Sequence, residues 1–154
     1  ELADDVKVGY VPQFRNIDPD YPLSIKSFIE LNTPFWKSQK VKDQVNHILQ
    51  ETHLKGLADT RMGEASGGQR AYLAQAFLDQ PNFIILDEAT ASLDPKAKEE
   101  LMSLIAHLNH EHKMTVLFVT HDIPLAKRYM KDYLYLSDGT VSQGKMEDFK
   151  ESFN

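Results

Sequence analysis

Two apolar tetrads constrain this chain more than anything else in it. Phe83-Ile84-Ile85-Leu86 and Val116-Leu117-Phe118-Val119 run without a polar interruption and are only strand length. Short apolar runs rich in branched and aromatic residues read as strands. Strands that do not alternate are expected to be buried on both faces, as parallel-sheet strands are. Between the two, Leu101, Leu104, Ile105 and Leu108 recur at helical spacing. Asp94 stands where it caps that helix and Pro95 where it starts it, giving a helix from about 95 to 112. Strand, helix and strand make a βαβ unit, so the expected class is α/β with a parallel sheet.

The remaining segments fit around that unit. Val6 to Val11 ends at Pro12 and reads as a strand; residues 16–22 are rich in Asp and Pro and read as a loop. Ser24 can cap a short helix over 25–31. Val41, Val45, Ile48, Leu49 and Thr52 form one face of an amphipathic helix over 39–54. A small-residue loop, Gly63 to Gly68, precedes a helix whose apolar stripe is Tyr72, Leu73, Ala76 and Phe77. Ile123 to Met130 is a short helix. Asp138-Gly139 between Tyr133–Leu136 and Thr140–Gln143 is a strong hairpin signal.

At 154 residues a single domain is the natural expectation. Seventeen basic against 23 acidic residues give a net charge of −6, which argues against a nucleic-acid face, since that needs a basic stripe. With no cysteine, disulfides and thiolate zinc sites are excluded. No apolar run reaches the length that spans a bilayer. The chain begins at Glu1 and runs straight into a polar turn and a strand, which reads as a truncated sequence.

Four local signals carry chemistry. Asp87-Glu88 closes the first tetrad, so both carboxylates are expected at the C-terminal edge of the sheet, where α/β ligands bind. One acid can hold a metal ion and the next can orient or deprotonate water. Ser66-Gly67-Gly68-Gln69 opens a helix, and backbone N–H groups there attract phosphate oxygens. Thr120-His121-Asp122 follows the second tetrad and puts a histidine within reach of a phosphate or an attacking water. Gln13, after Val11-Pro12, can touch a metal-bound water. Each signal alone is weak: an exposed acidic turn, a capped loop and a turn histidine account for them as well.

Their order is specific. Tyr10-Val11-Pro12-Gln13 resembles a Q-loop, Ala65-Ser66-Gly67-Gly68-Gln69 the LSGGQ signature with Ala for Leu, and Phe83 to Glu88 a Walker B strand with its catalytic glutamate. Ser92-Leu93-Asp94 resembles a D-loop and His121 a switch histidine; Ala89 stands where the pattern usually has Pro. Over nearly its whole length the chain resembles the ABC ATPase family. The resemblance implies a P-loop NTPase-like domain lacking its N-terminal part, with a helical signature subdomain over 25–78 and a catalytic core from 1–14 and 79–154. It implies ATP and Mg²⁺ as cofactors. Asp87 and Gln13 would serve the metal, with Glu88 polarising water and His121 on the γ-phosphate. Ser66, Gly67, Gly68 and Gln69 would meet the ATP of a second, facing ATPase subunit, with Asp94 at the seam. It also implies transmembrane permease subunits, indirectly a solute-binding protein, no nucleic acid, and a place on the cytoplasmic face of the membrane.

Gly9 to Gln13, Asp18, and Asp20-Tyr21-Pro22-Leu23-Ser24-Ile25 resemble the corresponding stretch in ATPases of zinc and manganese importers. The resemblance implies that this region docks on membrane partners, so no transported-metal site is expected here. Two departures matter. No G-x-x-x-x-G-K-[ST] occurs, so tight ATP binding and hydrolysis are not expected of these residues alone. The step from Gln69 to Asp87 is 18 positions, about two shorter than the pattern. Two helical residues are roughly 200° of rotation, so a damaged signature site is expected. A soluble ABC protein, and a degenerate half acting only in trans, stay open as alternatives. His110-Glu111-His112 reads as a solvated helix end because i, i+2 residues do not share a face. Phe35-Trp36 reads as surface aromatics rather than a docking patch, and the acids over 147–151 as a solvated face.

Overall fold

The structure, a computed structural model, describes residues 5–13, 17–64 and 67–150. It divides into two compact units, 1–119 and 120–154. The division falls after the second apolar strand.

In the first unit, β1 (Val8–Val11), β2 (Phe83–Asp87) and β3 (Thr115–Val119) form a parallel sheet in that order. Tyr10 pairs with Ile85, Ile85 with Leu117, and Asp87 with Val119. α3 (Gly68–Leu78) packs against β1, and against α1 (Ile25–Ile29) and α2 (Gln39–Glu51). Gln75 Nε2 donates to Phe28 O at 2.7 Å, and Tyr72 meets the Phe28 ring edge-on at 4.9 Å between centroids. α4 (Pro95–His112) buries Leu101, Met102, Leu104, Ile105 and Leu108, the stripe read from the sequence.

The caps follow local chemistry. Ser24, Ser38 and Asp94 each accept a backbone N–H in the first turn of their helices, Asp94 from Ala97 N at 2.9 Å. Asp94→Ala should therefore cost about 1 kcal/mol in a urea titration while Asp94→Asn costs almost nothing, because Asn caps as well as Asp. α1 gives way to a 3-10 turn over Glu30–Asn32, and α2 ends at Glu51, earlier than its apolar spacing suggested. Thr52 then closes α2: its hydroxyl donates to Ile48 O at 2.7 Å, which satisfies a fully buried polar side chain.

The expectation of strands buried on both faces is corrected. Val11, Ile84 and Leu86 point into the core, but Val8, Tyr10, Leu117 and Val119 on the opposite face are 38–53% exposed. Continuous apolar sequence reports that both faces tolerate burial. Here only one face is covered within the described residues, so an alternation absent from the sequence appears in the exposure.

The loop over 17–24 is fixed by backbone. Ile25 N donates to Thr60 O and Met62 N to Leu23 O, both near 3 Å, and Ser24 bridges to Arg61. Gly63 lies so close to this loop that a Cβ on it would stand 2.2 Å from Asp18 O and 2.6 Å from Pro19 Cα.

The second unit holds α5 (Ile123–Tyr129) and an antiparallel hairpin of β4 (Asp132–Ser137) and β5 (Thr140–Lys145). Asp138 and Gly139 both take positive φ, as the two-residue turn read from the sequence requires. Phe149 packs edge-on against Tyr133 and Tyr135, with centroids 4.8 and 5.3 Å away, beside Met146 and Ala126.

Candidate active site

Parallel pairing brings the ends of β1 and β2 to one edge of the first unit. Gln13 follows β1, Asp87 is the last residue of β2, and Glu88 comes next. With Tyr10 and Pro12 they line an open cleft of about 340 Å³. Asp87 and Glu88 are half-buried and Gln13 is exposed, so their side chains are reachable from solvent.

Glu88 has φ +50, a left-handed conformation that a non-glycine residue adopts at a cost of order 1–3 kcal/mol. Two backbone bonds hold it there: Glu88 N donates to Val119 O at 2.9 Å, and Ala91 N donates to Glu88 O at 3.1 Å. The turn tips the chain off the sheet and aims consecutive carboxylates into one cleft, where a continued strand would send them to opposite faces.

Asp87 has a partner that sequence reasoning did not single out. Tyr10 Oη donates to Asp87 Oδ2 at 2.9 Å. This hydrogen bond first, then desolvation, then the charge of Asp87 push the Tyr10 phenol above its ordinary value. The sequence quoted Tyr10 only as part of a motif. The contact depends on strand register, which no local pattern reports.

The oxygen-rich donors Asp87, Glu88 and Gln13 suit a hard cation such as Mg²⁺, held by one or two carboxylates and water. Among the described residues no group of three or more His, Asp or Glu could hold a metal by itself. His112 does not work with His110: its Nε2 lies 3.2 Å from Glu51 Oε1 and its ring meets Phe77 edge-on at 5.9 Å. Phe35 and Trp36 are 96% and 83% exposed.

The signature segment is placed differently from an open phosphate site. Ser66 lies outside the described residues. Gly67, Gly68 and Gln69 are all buried. A Cβ on Gly67 would stand 2.7 Å from Leu54 Cδ2, which explains the glycine by packing. Gln69 Nε2 donates to Pro12 O at 3.3 Å, while Oε1 is buried without a partner. The Gln69 side chain thus ties the start of α3 to the residue before Gln13. Asp94 is exposed and serves as a helix cap. β3 delivers the chain to the sheet edge where β2 ends. His121 follows two residues on, in the second unit, exposed and just before the Asp122 cap of α5. Gly139 to Lys145 has the G-x-x-x-x-G-K spacing, but it forms β5 rather than a loop before a helix, and Met146 takes the hydroxyl position.

A parallel sheet ending in two adjacent acids and a nearby glutamine defines an α/β ligand site at the carboxyl edge. Residues 3–91, more than half the chain, match the ABC transporter family, and the chain belongs to that family. It is 35% identical over 154 residues to the zinc import ATP-binding protein ZnuC of Photorhabdus laumondii, covering 96% of this chain and 56% of that protein. It is 36% identical over 125 residues to ZnuC of Ruegeria sp., covering 80% and 48%. The solved structure of a metal-chelate type ABC transporter in an inward-facing conformation superimposes with a TM-score of 0.83 at 24% identity, covering 96% of this chain and 62% of that one, a likeness of fold. The chain spans about half the length of the curated relatives it matches. No described helix is long and apolar enough to cross a membrane.

Proposed function

We propose that this chain is part of the ATP-binding subunit of a divalent-metal importer, zinc or manganese being the transported ion. The observation that carries the ATPase half of the reading is the convergence of Gln13, Asp87 and Glu88 in one cleft at the carboxyl edge of the sheet. The similarity to ZnuC proteins and the stretch Asp18 to Ile25 support the metal half.

Asp87 and Gln13 are the residues that would hold Mg²⁺, Asp87 through water. Glu88 holds and polarises the attacking water, and its fixed backbone keeps the carboxylate aimed into the cleft. His121 serves the γ-phosphate. Bound Mg²⁺ would neutralise charge building on the phosphate oxygens. Asp94 lies at the seam with a second ATPase subunit, permease subunits take up the motion, and the assembly sits at the cytoplasmic membrane face. Ser66, Gly67 and Gly68 approach the partner's nucleotide through backbone N–H groups; the burial of Gly67 to Gln69 requires that segment to open first.

The 154 residues alone should release no phosphate from Mg-ATP above background. Joined behind the amino-terminal half of the Photorhabdus ZnuC relative, which restores the preceding segment, they should turn over ATP. Equal turnover with and without that half would sink the assignment of roles. Deleting the gene should lower cellular zinc or manganese; unchanged metal content with loss of another solute would reject the substrate and leave the ATPase reading standing.

A further inference from the structure

β1 pairs with β2 so that Tyr10 stands opposite Ile85 and Val11 opposite Leu86. Tyr10 and Asp87 are therefore on the same sheet face, offset by two residues across neighbouring strands. The strand spacing and two residue rises put such neighbours about 8 Å apart, a gap that a long aromatic side chain spans and a serine or threonine does not. The Tyr10 hydroxyl closes it with a 2.9 Å bond to Asp87 Oδ2. A carboxylate offers two oxygens and about four lone-pair directions. One donor on Oδ2 fixes the rotation of the group and leaves Oδ1 for a cation or its water.

We propose that Tyr10 is a positioning residue for Asp87, its hydroxyl setting the orientation in which the acid meets a divalent cation. This rests on the reading of Asp87 as the magnesium acid. Asp87 needs such a partner because it is the final residue of its strand, half-buried at the lip of an open cleft. The ring of Tyr10 contributes only its apolar body to the open sheet face, a task a phenylalanine performs equally. The hydroxyl is thus the part of the side chain that packing does not explain. Carboxylates that bind metals are commonly held by outer hydrogen bonds, and removing such a partner weakens metal binding by about 10–100-fold. Tyr10 is half-exposed, so water replaces part of the lost bond and the expected effect is about tenfold, the lower end of that range.

The test uses the 154-residue chain, ¹⁵N-labelled, titrated with Mn²⁺ as a paramagnetic stand-in for Mg²⁺. In the unaltered chain the amides of residues 9–11 and 86–89 should broaden first. Asp87→Asn should remove that local broadening. Tyr10→Phe should keep the circular dichroism spectrum and melting temperature while moving the titration midpoint to about tenfold higher Mn²⁺. If Tyr10→Phe titrates like the unaltered chain while Asp87→Asn abolishes the effect, the positioning role is wrong and the magnesium role of Asp87 stands. If the unaltered chain shows no broadening there, or Asp87→Asn leaves it unchanged, the magnesium reading fails and the role of Tyr10 falls with it.

Discussion

Replacing Glu88 by glutamine in the chimera with the ZnuC amino-terminal half should lower kcat by about 10²–10⁴-fold, the range associated with loss of a positioned general base. That is roughly 3–5 kcal/mol of transition-state stabilisation. Glutamine has the same length and suits the same left-handed backbone no worse than glutamate. The two backbone bonds that fix residue 88, to Val119 and from Ala91, do not involve the side chain. The substitution thus keeps those two backbone bonds and removes a basic oxygen. The KM for ATP should stay within about threefold, since a group that acts only on the attacking water contributes little to ground-state binding. Steady-state phosphate release measures both quantities. A loss of less than tenfold would show that another group handles the water.

Gly63→Ala should be the most destabilising of the alanine substitutions at Gly9, Gly56, Gly63 and Gly67. The new Cβ would lie 2.2 Å from the Asp18 carbonyl oxygen and 2.6 Å from Pro19 Cα. Both atoms are backbone, in a loop pinned by the Ile25–Thr60 and Met62–Leu23 hydrogen bonds, so no side chain can swing aside. Overpacking of this kind costs about 3 kcal/mol at the upper end of its usual range. Against a typical domain stability of about 5–15 kcal/mol, that is a large fraction. Gly56→Ala is the matched control, with nothing within 4 Å of its Cβ position, and should change stability by no more than about 0.5 kcal/mol. Urea titration followed by circular dichroism compares the two. Equal midpoints would mean that the loop over 17–24 yields freely, which would also remove the support for a preformed docking stretch there.

Much of the architecture was legible because its signals are local. The stripe of α4, the Asp94 cap with Pro95 behind it, the Asp138-Gly139 turn and the two tetrads each depend on residues within a few positions of one another. The neighbouring acids Asp87 and Glu88 were legible as a pair at the end of a strand for the same reason. Boundaries were less so: α2 stops at Glu51 because His53 turns left-handed at φ +58 and Leu54 N returns to Leu49 O, a choice that helical spacing does not record.

What the sequence by itself determined is the α/β class, the parallel βαβ unit, and the residue types available at the strand ends. Hydrophobic period, capping chemistry and turn chemistry are properties of short stretches, and they act before any tertiary contact forms. Only the tertiary structure decided that Tyr10 meets Asp87, that Gln69 is buried against Pro12, that Gly63 is locked beneath Asp18 and Pro19, and which sheet face the described residues cover. Each of these joins residues 44 to 77 positions apart or depends on which neighbour covers a surface. Register and layer packing settle such contacts, and their energies become available only once distant segments have been brought together.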